Sequence, residues 1–150
     1  VEVVIARSFN HIGPGQDERF VLPGIARRLA EIKQSNSERS IIVGNLGVER
    51  DFLDVRDVVQ GYITLMSEAE PQQAYNVCSG EALSLADVVE RLILLSGAST
   101  RTEVDTTRFR PADIPRLFGD CTRLRGLGWA PVFDLDLTLR DLLAEAASRL

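Results

Sequence analysis

Val1-Glu2-Val3-Val4-Ile5-Ala6-Arg7-Ser8-Phe9-Asn10-His11-Ile12-Gly13-Pro14-Gly15-Gln16 decides the fold class. Residues 1–7 are β-branched and mostly apolar, the composition of a strand buried on both faces of a parallel sheet. Residues 8–16 are rich in turn formers and read as a loop at the carboxyl end of that strand. A helical pattern follows, with Phe20, Val21, Ile25, Leu29 and Ile32 on one face and Arg27, Arg28 and Glu31 on others. Pro23 is tolerated only in a first helical turn, so the helix starts close to it. Strand, polar loop and amphipathic helix in that order are the repeating unit of an α/β protein with a mostly parallel sheet. No initiator Met or polar lead-in precedes Val1, so the expectation is that the chain is the C-terminal part of a longer one.

The pattern continues downstream. Residues 41–43 and 50–53 read as two short strands forming a hairpin around Gly44-Asn45-Leu46-Gly47. Asp54 is placed to cap a helix carrying Val55, Val58, Val59, Tyr62, Ile63 and Met66, ended by Glu70-Pro71. Residues 74–78 form another β-type run. Ser84-Leu85-Ala86-Asp87 is a capping box with Asp in place of Glu; its helix has the stripe Val88, Val89, Leu92, Ile93 and Leu95 and stops at Gly97. Residues 103–107 are a weak strand, and 109–120, with two prolines, an irregular surface loop. Asp120 caps one short turn through Arg125, which Gly126-Leu127-Gly128-Trp129 breaks. The last helix uses Leu139, Leu142, Leu143, Ala146 and Leu150, with Thr138 as cap and Asp141 three residues on.

Composition narrows the function. The 150 residues are 45% hydrophobic and 26% charged, enough to bury a real core. The net charge of −5 argues against a general nucleic-acid binder. No uncharged apolar run approaches the ~18 residues of a membrane span. Cys78 and Cys121 form no C-x-x-C pair, which suits a reducing cytoplasm. No metal site is expected, because one would have to gather His11, the only histidine, with both cysteines and a carboxylate from distant segments. There is no G-x-S-x-G elbow, no phosphate-binding P-loop and no H-E-x-x-H, and Gly13-Pro14-Gly15 has the wrong spacing for G-x-G-x-x-G. Cys78 has no evident base and reads as a core thiol.

Three loops can carry chemistry. Asn10-His11-Ile12-Gly13-Pro14-Gly15 lies beyond a strand's carboxyl end, where open α/β sheets bind ligands. Asn10 both donates and accepts, and the glycines admit a ligand to the backbone. The same residues also make a structural turn in which Asn10 bonds the backbone, and the sequence does not choose between the two. In Arg50-Asp51-Phe52-Leu53-Asp54-Val55-Arg56-Asp57, an exposed edge and a capped helix account for Asp54, Arg56 and Asp57. Arg50 differs: it starts a strand beside a Gly-rich turn, from which a guanidinium can fork onto a phosphate. Arg108-Phe109-Arg110-Pro111-Ala112-Asp113-Ile114-Pro115 has the makings of a lid, Arg110 clamping an anion and Asp113 accepting from hydroxyls; taken alone, a solvated loop with a surface ion pair is the favoured reading.

Taken together, these loops resemble the C-terminal half of an extended short-chain dehydrogenase/reductase acting on nucleotide sugars. The order matches from Arg7-Ser8-Phe9-Asn10-His11 through Gly44-Asn45-Leu46, Arg50-Asp51-Phe52 and Tyr75-Asn76-Val77-Cys78-Ser79-Gly80 to Arg110-Pro111-Ala112-Asp113, Gly119-Asp120 and Leu127-Gly128-Trp129. The resemblance implies the last strands of a Rossmann-type parallel sheet plus a smaller sugar-nucleotide domain. Residues 1–8 and 55–80 would complete the former, 9–54 and 81–150 would form the latter, and the N-terminal cofactor half would be absent. Within the family the chain is most similar to the branch reducing GDP-4-keto-6-deoxy-D-mannose to GDP-D-rhamnose. The GDP-mannose 4,6-dehydratase branch is the alternative, and a non-catalytic nucleotide-sugar-binding module a further one. Ile12-Gly13-Pro14-Gly15-Gln16, where dehydratases carry an acid and Pro-Arg-Arg, favours the reductase. The resemblance further implies NADP or NAD as cofactor, NADPH being favoured, with His11 beside the nicotinamide. It places Asn10, Val21, Arg50, Arg110 and Asp113 on the GDP-sugar, and implies a homodimer or tetramer. The family's Tyr-x-x-x-Lys is not in this chain: Met66 and Ser79 stand four residues after Tyr62 and Tyr75. The chain alone is therefore expected to be inactive.

Overall fold

The computed structural model describes residues 1–36, 39–108 and 114–150. In chain order the elements are β1 (Ile5–Ser8), β2 (Asn10–Ile12), α1 (Val21–Ser35), β3 (Ile41–Val43), β4 (Glu49–Arg50), β5 (Phe52–Asp54) and α2 (Val55–Glu68). Then follow β6 (Ala74–Val77), β7 (Leu83–Ser84), α3 (Leu85–Ser96), β8 (Thr102–Val104), β9 (Arg116–Leu117), α4 (Thr122–Gly126) and α5 (Leu135–Ser148). The protein is α/β, and among the described residues β1–β6, β2–β5, β3–β8 and β4–β9 run parallel, and β4–β7 antiparallel. The chain crosses from one sheet to the next at Phe9, whose N–H donates to the Val77 carbonyl. Register then sets Asn10 opposite Phe52, two residues from Arg50.

Two apolar clusters hold these elements. One packs α1 against α3 and α5 through Leu29, Leu92 and Leu139, with Ile41 and Val43 of β3 beneath. Each fully buried aliphatic there contributes about 1.5–3 kcal/mol. The other joins Leu53, Val58, Leu65, Tyr75 and Val77 to Leu124 and Trp129. Gly61 allows that approach, since a Cβ there would meet Val77 Cγ1 at 3.1 Å. Among the described residues no helix is long and apolar enough to cross a membrane, and no group of three or more metal-ligating side chains forms.

The caps follow the sequence at two helices: Asp54 accepts from the Arg56 N–H and Ser84 from the Asp87 N–H, while Gly97 closes α3 with a left-handed residue. Elsewhere tertiary structure overrides local pattern. The hairpin does not form; β3 pairs with distant β8, because burying Ile41 and Val43 on the main cluster takes β3 into a different sheet from β4. The strand expected over 1–7 is shorter, and Ile5–Ser8 is exposed along its length. The loop over 8–16 contains a strand, β2, and that over 109–120 contains β9. The last helix begins a turn early: Asp134 caps it by accepting from the Leu137 N–H, while Thr138 is buried and donates to Asp54 Oδ2 at 2.6 Å. α2 buries Val58, Gly61 and Leu65, leaving Val59, Tyr62, Ile63 and Met66 exposed.

Candidate functional site

Two adjoining grooves meet at Arg50. The first, about 390 Å³, is lined by Asn10, His11, Gln16, Val21, Arg50 and Phe52, among others. The second, about 760 Å³, runs past Arg28, Gly44, Asn45 and Thr107. Phe20, Val21, Val48 and Arg50 border both, so together they form one trough. Four positions expected from sequence to bind ligand, Asn10, His11, Val21 and Arg50, therefore line one surface. Arg110 and Asp113 lie outside the described residues. The residues flanking them do reach the site: Thr107 forms part of the wall, and the Pro115 carbonyl accepts from Arg50 Nη1 at 3.3 Å.

β4 places Arg50 there, and backbone carbonyls aim it. Its Nη1 also donates to the Glu49 carbonyl at 2.8 Å. Among the described residues the half-buried guanidinium has no carboxylate partner, and its Nε and Nη2 make no hydrogen bond. That contrasts with Arg56, which forks onto Asp54, contacts Asp141 at 2.8 Å and lies over the Phe133 ring. A cation held by carbonyls, with two nitrogens unbonded on a residue that lines both grooves, is equipped to take an anion.

The surroundings add to this. α1 opens at Val21 with no side-chain cap and no acid in its first turn, so its positive end faces the trough. Arg28, two turns along, reaches across to the Ile42 carbonyl at 2.7 Å. Sequence reading missed Arg28, because an arginine on a polar helix face looks solvated; its closeness to Gly24 was the available signal. His11 Nδ1 lies 3.2 Å from the Phe9 carbonyl; donation there fixes the tautomer that leaves Nε2 an acceptor. Gln16, also unforeseen, donates its amide to the His11 carbonyl and fastens the loop over β2. Away from the trough, Cys78 is buried and its thiol pushed up to about 12 by burial, then by Asp51 and Cys121; it is no nucleophile.

Comparison with known proteins identifies the family. The family model described as GDP-mannose 4,6 dehydratase matches residues 1–142. The GDP-6-deoxy-D-mannose reductase of Pseudomonas aeruginosa is 38% identical over 148 residues, 98% of this chain and 49% of that protein. Human GDP-mannose 4,6 dehydratase is 27% identical, over 90% of this chain and 41% of its own length. The structure of RMD from Pseudomonas aeruginosa complexed with NADPH superposes with a TM-score of 0.93 at 37% identity, covering 99% of this chain and 50% of that one. UDP-glucose 4-epimerase from Thermotoga maritima, at 19% identity and a TM-score of 0.87 over 99% of this chain and 47% of that one, shares the fold. The chain thus spans about half the length of the relatives it matches. It belongs to the GDP-mannose 4,6 dehydratase family of extended short-chain dehydrogenases/reductases.

Proposed function

We propose that the chain is the substrate-binding half of an NAD(P)H-dependent nucleotide-sugar oxidoreductase that reduces GDP-4-keto-6-deoxy-D-mannose to GDP-D-rhamnose. One observation carries the reading: the half-buried Arg50 guanidinium has no acid to neutralise it among the described residues and stands at the junction of two grooves. Their size suits a nucleoside diphosphate sugar. The reductase is favoured over the dehydratase because the named reductase is more similar, 38% against 27% identity.

In this reading Arg50 pairs with the pyrophosphate, as a charge-assisted fork worth about 1.5–3 kcal/mol. Asn10 hydrogen-bonds sugar or phosphate, Val21 packs against the ligand, and the segment with Arg110 and Asp113 closes over the nucleotide. Residues 9–54 and 81–150 form the substrate domain, while 1–8 and 55–80 add to an NAD(P)-binding Rossmann domain. His11 fits a nicotinamide carboxamide, because Nε2 is left to accept from an amide N–H. NADPH, the favoured cofactor, supplies a hydride for the C4 ketone when bound. The chain's own contribution is orientation, holding the ketone against that donor; the proton donor lies outside residues 1–150, since no Tyr-x-x-x-Lys occurs within them.

The test is to incubate the intact protein with GDP-4-keto-6-deoxy-D-mannose and NADPH, following nicotinamide absorbance and product stereochemistry. Oxidation of NADPH with formation of GDP-D-rhamnose is expected. Turnover of GDP-mannose without net NADPH consumption would assign the dehydratase instead.

A further inference from the structure

We propose that Asp51 is the positioning residue that aims Arg50 into the trough; the inference rests on the reading of Arg50 given above. Asp51 is 1% exposed, and its carboxylate pairs with no cation among the described residues. Burying a charge unpaired is costly unless hydrogen bonds replace its water. Here they do. Oδ1 accepts from the Ser79 N–H and hydroxyl, both at 2.8 Å, and Oδ2 from the N–H groups of Gly80 at 3.0 Å and Gly119 at 3.3 Å.

The nest is built for an acceptor-only group. Gly80 has φ +92°, and a Cβ on Gly119 would lie 2.5 Å from Cys78 Sγ, so both donating positions require glycine. An Asn would turn an NH₂ toward N–H groups on one side. The carboxylate thereby ties two separate segments, Ser79-Gly80 and Gly119, to the residue directly after Arg50.

One of those segments controls Arg50. The Asp51 N–H donates to the Leu117 carbonyl at 3.0 Å, and the Glu49 N–H to the Pro115 carbonyl at 2.8 Å, which lays β9 along β4. With β9 in place, the Pro115 carbonyl holds Arg50 Nη1 and leaves the Nε–Nη2 edge for a ligand. Asp51 grips Gly119, two residues beyond β9. Losing that grip loosens the chain just past β9, leaving only main-chain bonds to hold the carbonyl that orients the guanidinium.

A double-substitution cycle in the intact protein tests this, with GDP affinity read by calorimetry and turnover by NADPH oxidation. Asp51→Asn is expected to weaken GDP binding about fivefold to tenfold with Arg50 present, and by no more than about twofold in the Arg50→Ala background; KM should rise more than kcat falls. Equal weakening in both backgrounds marks Asp51 as merely structural and overturns the proposal, as does unchanged binding in the single variant. If Arg50→Ala alone leaves GDP affinity intact, the reading of Arg50 fails and takes this inference with it. Should Asp51→Asn not fold, Ser79→Ala removes one hydroxyl donor to the nest. A smaller loss of affinity that disappears with Arg50→Ala supports the proposal, and one that persists refutes it.

Discussion

Replacing Arg50 by Ala perturbs the trough at its junction, and the size of the effect follows from what the guanidinium does now. Nη1 is engaged by the Glu49 and Pro115 carbonyls, so the edge left for a ligand consists of Nε and Nη2. Two parallel N–H donors match one phosphate, and a hydrogen bond to a charged group contributes about 1.5–3 kcal/mol. At about 1.4 kcal/mol per decade, Arg50→Ala should weaken GDP binding by roughly 10- to 150-fold. Lys restores the charge without the fork and should recover only part of that loss. Calorimetry on the intact protein with GDP, GMP and guanosine locates the contact. The loss should be largest for GDP and smaller for GMP, and guanosine should be unaffected. A folded variant binding GDP as wild type does, or losing guanosine and GDP alike, would refute the assignment.

Other outcomes follow from buried carboxylates and the thiol. Asp57 accepts from the Val132 and Phe133 N–H groups at 3.0 and 3.1 Å; Asp57→Ala should cost about 2–3 kcal/mol and lower Tm by roughly 5–10 °C, and a shift under about 2 °C in a melt would contradict this. Burial pushes the Asp54 carboxyl up, but hydrogen bonds from Arg56 and Thr138 outweigh it and hold it below the usual range. Its stabilising share is thus present above the unfolded value and lost as pH falls through the folded one, so the stability gap between wild type and Asp54→Asn should narrow below about pH 4 in denaturant titrations. A gap that stays constant from neutral pH to below that point would refute it. Cys78, buried and raised to about 12, should resist a thiol reagent until the protein unfolds; rapid native-state labelling at Cys78 would count against its burial.

What could be read in the sequence was local. Asp54 and Ser84 cap their helices, and Gly97 ends α3, because such signals act within one turn. Pairing between strands is different: nothing in Ile41–Val43 names Thr102–Val104 as its partner. Thr138 and Asp141 have the spacing of a cap, as do Asp134 and Leu137, and only the hydrogen bond from Thr138 to Asp54 decides between them. α2 shows the same limit, since its apolar residues cover more than one face and only Val58, Gly61 and Leu65 meet a core. At the site, Arg50 was legible because it starts a strand beside a Gly-rich turn, whereas nothing local says where its acidic neighbours Glu49 and Asp51 go. The structure sends Glu49 to Arg116 and Asp51 into its nest, leaving Arg50 for the groove.

The most direct test is a crystal structure of the intact protein with GDP bound. A pyrophosphate oxygen is expected within about 2.7–3.2 Å of Arg50 Nε or Nη2, with the nucleoside lying in the trough beside Val21. GDP seated elsewhere, with the Arg50 guanidinium touching no phosphate, would contradict it.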